Sequence, residues 1–229
     1  MIKKIDHQLM GRFHNSWLNT YYHFSFGDYY DAEKMHYGML RVVNDDTIQP
    51  LSGFDLHSHK NMEILTYVVQ GECTHRDNDR EQTLKRGMMQ LMSAGTGIAH
   101  SERNMQDSLL RMIQIWIYPN ELDLRPDYQL AALPWHERYN RWLLLASQRD
   151  EAPLHLHQDM NIYACELSDA AEIELKVMPL RQVYLVVLEG RVRIEDMLFD
   201  AHDGAEIDES TRLKAASWAH VLMFEMAKL

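Results

Sequence analysis

Two short pairs carry the chemistry this chain can do: His57 and His59 in Asp55-Leu56-His57-Ser58-His59, and His100 and Glu102 in Gly97-Ile98-Ala99-His100-Ser101-Glu102. The members of each pair are two residues apart, and on a β-strand that spacing puts both side chains on one face. Two such strands side by side inside a barrel would aim three imidazoles and a carboxylate at one point, a ligand set for a single divalent transition metal. Such a set leaves the ion with a net charge of about +1 and one or two open positions. Fe(II), Mn(II), Co(II), Ni(II) and Cu(II) suit it, zinc could occupy it, and without thiolate donors nothing biases it toward Cu(I).

Other residues of these types read more plainly. His155-Leu156-His157 repeats the spacing, but no His-x-Glu follows it, since His202 and His220 stand alone; a structural or surface pair is expected there. His75 falls in a hairpin and is expected to be an exposed turn residue. Met88-Met89-Gln90-Leu91-Met92 reads as core filler. The aromatic cluster Tyr21, Tyr22, Phe24, Phe26, Tyr29 and Tyr30 is expected to pack the barrel, with some rings at a pocket mouth.

The elements that must position the two pairs are strands. Glu63-Ile64-Leu65-Thr66-Tyr67-Val68-Val69 is β-branched and aromatic and ends at Gln70-Gly71; Cys73–Arg76 continues it, and Asp77-Asn78-Asp79 makes a turn. Met88–Met92 is a further short run, closed by Ala94-Gly95-Thr96-Gly97, and Leu109–Tyr118 is a strand apolar on both faces. The second half echoes the first: Val183–Ile194 matches Ile64–His75, Gly204–Asp208 matches Gly87–Leu91, and Val221–Glu225 matches the strand around Ile113–Trp116. A long-period repeat in an all-β chain predicts two stacked barrels of common ancestry with little helix. Pro119–Ala152 is the expected connection, giving a metal-binding barrel over 1–120 and a connection plus ligand-free barrel over 121–229.

Composition bounds the partners. The chain has 229 residues, 46% of them hydrophobic and 25% charged, which is ordinary for a soluble globular protein. A net charge of −11 repels phosphate backbones and anionic lipid, so neither nucleic acid nor membrane is an expected partner. Apolar runs such as Val183–Leu188 are too short to span a bilayer, and Met1–Gln8 lacks the apolar core of a signal peptide. A soluble cytoplasmic protein is expected, monomeric because nothing marks an oligomer interface. Cys73 and Cys165 lie in apolar strand-like runs and read as buried free thiols.

Together these segments resemble a known family. Gly53–Gly71 resembles the first cupin motif, and Gly87 through His100 and Asn104 the second, with Gly95 where proline is common. His23-Phe24-Ser25-Phe26-Gly27-Asp28-Tyr29-Tyr30-Asp31, His57-Ser58-His59, Glu63–Val68 and Gly95–Glu102 are similar to pirins, most of all to bacterial pirins with quercetinase activity. The resemblance is dense from Trp17 to Pro119 and afterwards rests on Gln158-Asp159-Met160 and Leu188-Glu189-Gly190.

This resemblance implies a bicupin, iron as the first-choice ion, and an oxidoreductase that opens a flavonol such as quercetin with O₂ and releases carbon monoxide. It also decides a question that spacing leaves open. On an uninterrupted strand Glu63 would share the face of His59, so alternation admits either carboxylate; pirins use the one corresponding to Glu102, with Glu63 beside the site. Glu102 is then also the nearest base for the substrate's hydroxyl proton, with Glu63 as the alternative. Pirins include a second, non-enzymatic type that binds protein partners and modulates transcription, where the same site would act as a metal or redox switch. Under either reading the imidazoles must be neutral to bind, so acidification should release the metal.

Overall fold

A computed structural model describes residues 1–228. Almost all ordered elements are strands; the described residues contain no α-helix, only the 3₁₀ turns His7–Leu9 and Trp135–Arg138. No helix is long and apolar enough to cross a membrane. The chain forms two compact units, residues 11–133 with 156–158, and residues 1–10 with 134–155 and 159 onward. Each is a cupin-type β-barrel, as expected, but the units divide the chain differently from a cut at residue 120. Asp127–Ala131, in the expected connection, pairs with Met89–Ser93 of the N-terminal barrel, and Ile2–Ile5 pairs with Gly204–Ile207 of the C-terminal one.

The N-terminal barrel has two sheets. The four-stranded sheet runs Gly53–His59, Ile98–Arg103, Glu72–Asp77, Glu81–Lys85. The seven-stranded sheet runs Asp127–Ala131, Met89–Ser93, Glu63–Gln70, Leu110–Ile117, Leu40–Ile48, Leu18–Tyr22, Gly11–His14. Glu63–Gln70 sits centrally and is buried over seven of its eight positions, which is why it reads as a continuous β-branched run. Gly71 ends it at φ 79°, where a Cβ would lie 2.5 Å from the Leu109 carbonyl oxygen; only glycine lets the chain cross there into the other sheet.

The C-terminal barrel repeats the scheme with longer strands. Arg181–Ile194 runs through Gly190 (φ 72°) as one strand and pairs along most of its length with Thr211–Ala227. Its core holds Leu185, Val187, Ile194, Phe199, Leu213 and Val221, all essentially inaccessible. Each such side chain contributes about 1.5–3 kcal/mol by burial.

Pairing fixes the correspondence between halves. Thr66 lies between Gln90 and Gln114, as Leu185 lies between Ala205 and Met223. This moves one expected echo. Gly87 N–H donates to the Val68 carbonyl (2.8 Å), and the equivalent donor to the Val187 carbonyl is His202 (2.7 Å), not Gly204. Gly87 and His202 share the left-handed conformation, at φ 80° and 76°. The glycine and the strained position have come apart in the second half, so matching glycines puts the echo two residues out. Cys73 and Cys165 are buried and free.

Candidate metal centre

Gly53–His59 and Ile98–Arg103 are antiparallel neighbours, with His57 opposite His100 and His59 opposite Ile98. The ring centroids of His57, His59 and His100 are 4.6–5.1 Å apart, and one nitrogen from each lies within 4.8 Å of the others. The His57 Nδ1–H donates to the Asp55 carbonyl (2.7 Å), which leaves Nε2 with its lone pair free to coordinate.

His59 Nε2 and both ring nitrogens of His100 are buried without a hydrogen-bond partner. Unpaired buried imidazole nitrogens are costly, and three imidazoles turned toward each other fit a bound cation. Burial, then the His57 charge, pushes the His59 pKa down to about 4. Burial, then His57, His59 and His75, pushes His100 down to about 2. Both rings are therefore neutral at physiological pH, the state in which imidazole is a ligand.

Glu102 is fully buried and lies past a register shift that follows His100. One carboxylate oxygen accepts from the Thr66 hydroxyl and from Gln90 Nε2 (2.8 Å), the other from Gln114 Nε2 (3.0 Å). The Tyr128 hydroxyl donates in turn to Gln90 Oε1 (3.1 Å). Burial raises the Glu102 pKa to about 7 against the lowering effect of Thr66. At this site the mutually close ligand atoms are those of the three histidines; the Glu102 carboxylate stands outside that group.

The structure takes Glu63 away from the cluster. Between His59 and Glu63 the chain leaves one sheet for the other, bending at Asn61 (φ 51°), so no continuous alternation links the two residues. Glu63 faces the side of its strand opposite Thr66, where it accepts from Ser93 Oγ (3.1 Å) and the His157 amide (3.2 Å). His155 and His157 join no group of ligand atoms among the described residues. His75 is not an exposed turn residue: it is fully buried on the strand Glu72–Asp77, its ring 5.4 Å from His100. Asp6, His7 and Asp203 also converge, but Lys4 Nζ lies 2.8 Å from the buried Asp203 carboxylate and already supplies its cation.

A cavity of about 490 Å³ opens beside the histidines. His57 and His59 form part of its wall, with Trp17, Tyr22, Phe26, Phe54 and Trp116 as aromatic sides and Asn44, Asp46 and Gln114 as polar ones. Of the N-terminal aromatic cluster, Tyr22 and Phe26 thus reach the cavity, and Tyr29 stacks behind Tyr22 at 6.3 Å. Sequence reasoning missed Asn44 and Asp46. Asn44-Asp45-Asp46 has the composition of a turn, yet it lies in the middle of Leu40–Ile48. The only signal was alternation: Asp45 points the other way and pairs with Arg111 (2.8 and 2.6 Å).

Comparison with known proteins agrees with this architecture. Residues 4–117 match the pirin family model, and residues 143–226 match the quercetinase C-terminal cupin domain. The chain is 35% identical over 220 residues to the quercetin 2,3-dioxygenase of Escherichia coli K12, covering 94% of each chain. It is 36% identical over 213 residues to a pirin-like protein of Caulobacter vibrioides, covering 91% of each. The crystal structure of a bacterial pirin from Escherichia coli in complex with nickel(II) superposes with a TM-score of 0.93 at 35% identity, over the full length of both chains.

Proposed function

This chain belongs to the pirin family, and on that premise we propose that its N-terminal barrel is a metal-dependent dioxygenase site that opens a flavonol ring, consuming O₂ and releasing carbon monoxide. The observation that carries the reading is the 490 Å³ aromatic-walled cavity with His57 and His59 in its wall. A purely structural ion would need no such chamber, and the volume is that of a small-molecule site.

His57, His59 and His100 are the assigned histidine ligands and Glu102 the assigned carboxylate. The nickel(II) held by the related Escherichia coli pirin supports a divalent ion on this donor set. Iron is the preferred native ion by family resemblance. A divalent ion there would supply a positive centre that favours loss of a proton from a substrate hydroxyl.

The remaining work belongs to the chain. The Asp55 carbonyl fixes the His57 tautomer. Gln90, Gln114 and Thr66 hold the Glu102 carboxylate as an acceptor. Glu102 is also the assigned base, because Glu63 faces the opposite side of its strand, toward Ser93 and His157. Trp17, Tyr22, Phe54 and Trp116 enclose a flat aromatic and keep water from the reacting ring.

The test is anaerobic loading with Fe(II), then separately with Ni, Mn, Co and Cu, followed by O₂ and quercetin. Metal-dependent loss of flavonol with carbon monoxide release is expected. Stoichiometric metal binding without turnover for every ion would favour the non-enzymatic pirin type instead.

A further inference from the structure

Two polar residues in the cavity wall each keep one buried acceptor atom unpaired. Asn44 is 3% exposed and Asp46 is 1% exposed, yet Asn44 Oδ1 and Asp46 Oδ2 accept no hydrogen bond from the protein. The neighbouring guanidinium of Arg111 is committed to Asp45 on the opposite face of the strand, so no cation compensates Asp46. On the adjacent strand of the same sheet the Trp116 indole Nε1–H, in the same cavity wall, is also buried and unpaired. Buried polar atoms in a folded protein are paired with few exceptions, and exceptions that line a cavity are placed to pair with what the cavity holds.

We infer that Asn44 and Asp46 are the specificity-determining pair of this cavity, accepting hydrogen bonds from two hydroxyl groups of a planar polyhydroxylated aromatic. The inference rests on the cavity being the substrate's place. The two residues are i and i+2 on one strand, so they share a face with their Cα atoms roughly 7 Å apart. Asn44 Oδ1 is an acceptor, and the Asp46 carboxylate is acceptor-only once ionised, which selects for ligand donors. The Trp116 N–H supplies the complementary donor for a ring or carbonyl oxygen. The flat rings of Trp17, Tyr22 and Phe54 select a planar frame. Burial holds Asp46 well above the usual carboxylate range, at about 7, against the lowering effect of the Thr20 hydroxyl, so a further hydroxyl donor that reaches it also relieves the cost of its ionisation. A site built to bind hydroxyls discriminates strongly against an analogue that lacks them, because its acceptors are then left unpaired.

The experiment titrates tryptophan fluorescence with quercetin and with flavone, its hydroxyl-free parent, in metal-free and nickel-loaded protein. It compares wild type with Asp46→Ala, Asp46→Asn and Asn44→Ala. Wild type is expected to prefer quercetin over flavone by tenfold or more in both metal states. Asp46→Ala and Asn44→Ala should each remove most of that preference, with flavone affinity and nickel content changed less than twofold. Asp46→Asn keeps the volume and one acceptor oxygen, and should lose part of the preference; it is the variant to read if Asp46→Ala does not fold. Intact preference without carbon monoxide release would remove the dioxygenase reading and leave the acceptor pair standing. A wild type with no preference, or variants that keep it in full, would overturn the pair.

Discussion

Where the N-terminal barrel sets Thr66 between Gln90 and Gln114, the C-terminal barrel sets Leu185 between Ala205 and Met223. Where the first pairs His75 with Glu102, the second pairs Ile194 with Leu213, and opposite the pair His57–His100 stands Leu175–Thr211. One pairing scheme therefore carries two interiors. The apolar one closes on itself: Leu175, Leu185, Ile194, Ala205, Leu213 and Met223 all belong to one core cluster. The polar one is a chain of dependencies, in which Glu102 needs Thr66, Gln90 and Gln114, and Gln90 is held by Tyr128. The comparison teaches that a strand frame of this kind carries buried polar groups as a connected set, and that the same frame closes equally well on an apolar set.

The largest expected effect tests which barrel holds metal. His57→Ala and His100→Ala should each abolish stoichiometric metal binding and lower turnover by at least 100-fold, read from metal content after dialysis and from carbon monoxide release. A full metal complement in both variants would break the division between a liganding barrel and a filled one.

Next comes an intrusion into the filled barrel. Leu213→Glu places a carboxylate at the counterpart of Glu102 with none of its donors, and should destabilise the protein by on the order of 3 kcal/mol or more in urea unfolding. An unchanged midpoint would mean that the second interior already accepts charge.

The reverse exchange should stabilise. Thr66→Leu, Gln90→Ala, Glu102→Leu and Gln114→Met together give the first barrel the side chains of the second at these positions, with Tyr128→Phe to remove the hydroxyl that Gln90 would leave unpaired. Compared metal-free, this combined variant should gain about 1 kcal/mol or more over wild type, and it should hold metal more weakly when loaded. A lower melting temperature would show that the polar set supports its own barrel.

The smallest effect concerns pH. In the folded protein Asp46 holds its proton up to about 7, against an ordinary value of 3.8, because burial disfavours the carboxylate. Between those values the folded chain binds a proton that the unfolded chain has released. Stability from this group is therefore complete below 3.8, falls as pH rises through about 7, and falls no further above. The melting temperature of metal-free Asp46→Asn minus that of wild type should rise by a few degrees from pH 5 to pH 8. A difference independent of pH would contradict a buried, uncompensated Asp46.

The two-barrel β architecture and the convergence of His57, His59 and His100 were legible because each depends on local spacing along a strand. Glu63 was not, because its facing depends on a bend between sheets at Asn61 that period-two counting cannot register. Asn44 and Asp46 were hidden by composition: residues that favour turns were held in a strand by partners on both sides. His75 lay close to a real turn, but Arg76 and Asp77 of the same strand still separate it from Asn78. The repeat was recognisable from Gly71 and Gly190, whereas Gly204 misled because the left-handed position had passed to His202. The membership of Ile2–Ile5 in the C-terminal barrel is a pairing across nearly the whole chain, and nothing local announces it.

That pairing has a consequence in time. Ile207, the partner of Ile2, is made about 200 residues after it. At 5–20 residues per second, roughly 10–40 s separate the two. Meanwhile every strand of the N-terminal barrel has been made, whereas the first strand of the C-terminal barrel waits for the last ones. The opening strand spends that interval as an unpaired edge, and Lys3 and Lys4 within it are the charges that keep such an edge from pairing with a neighbouring chain.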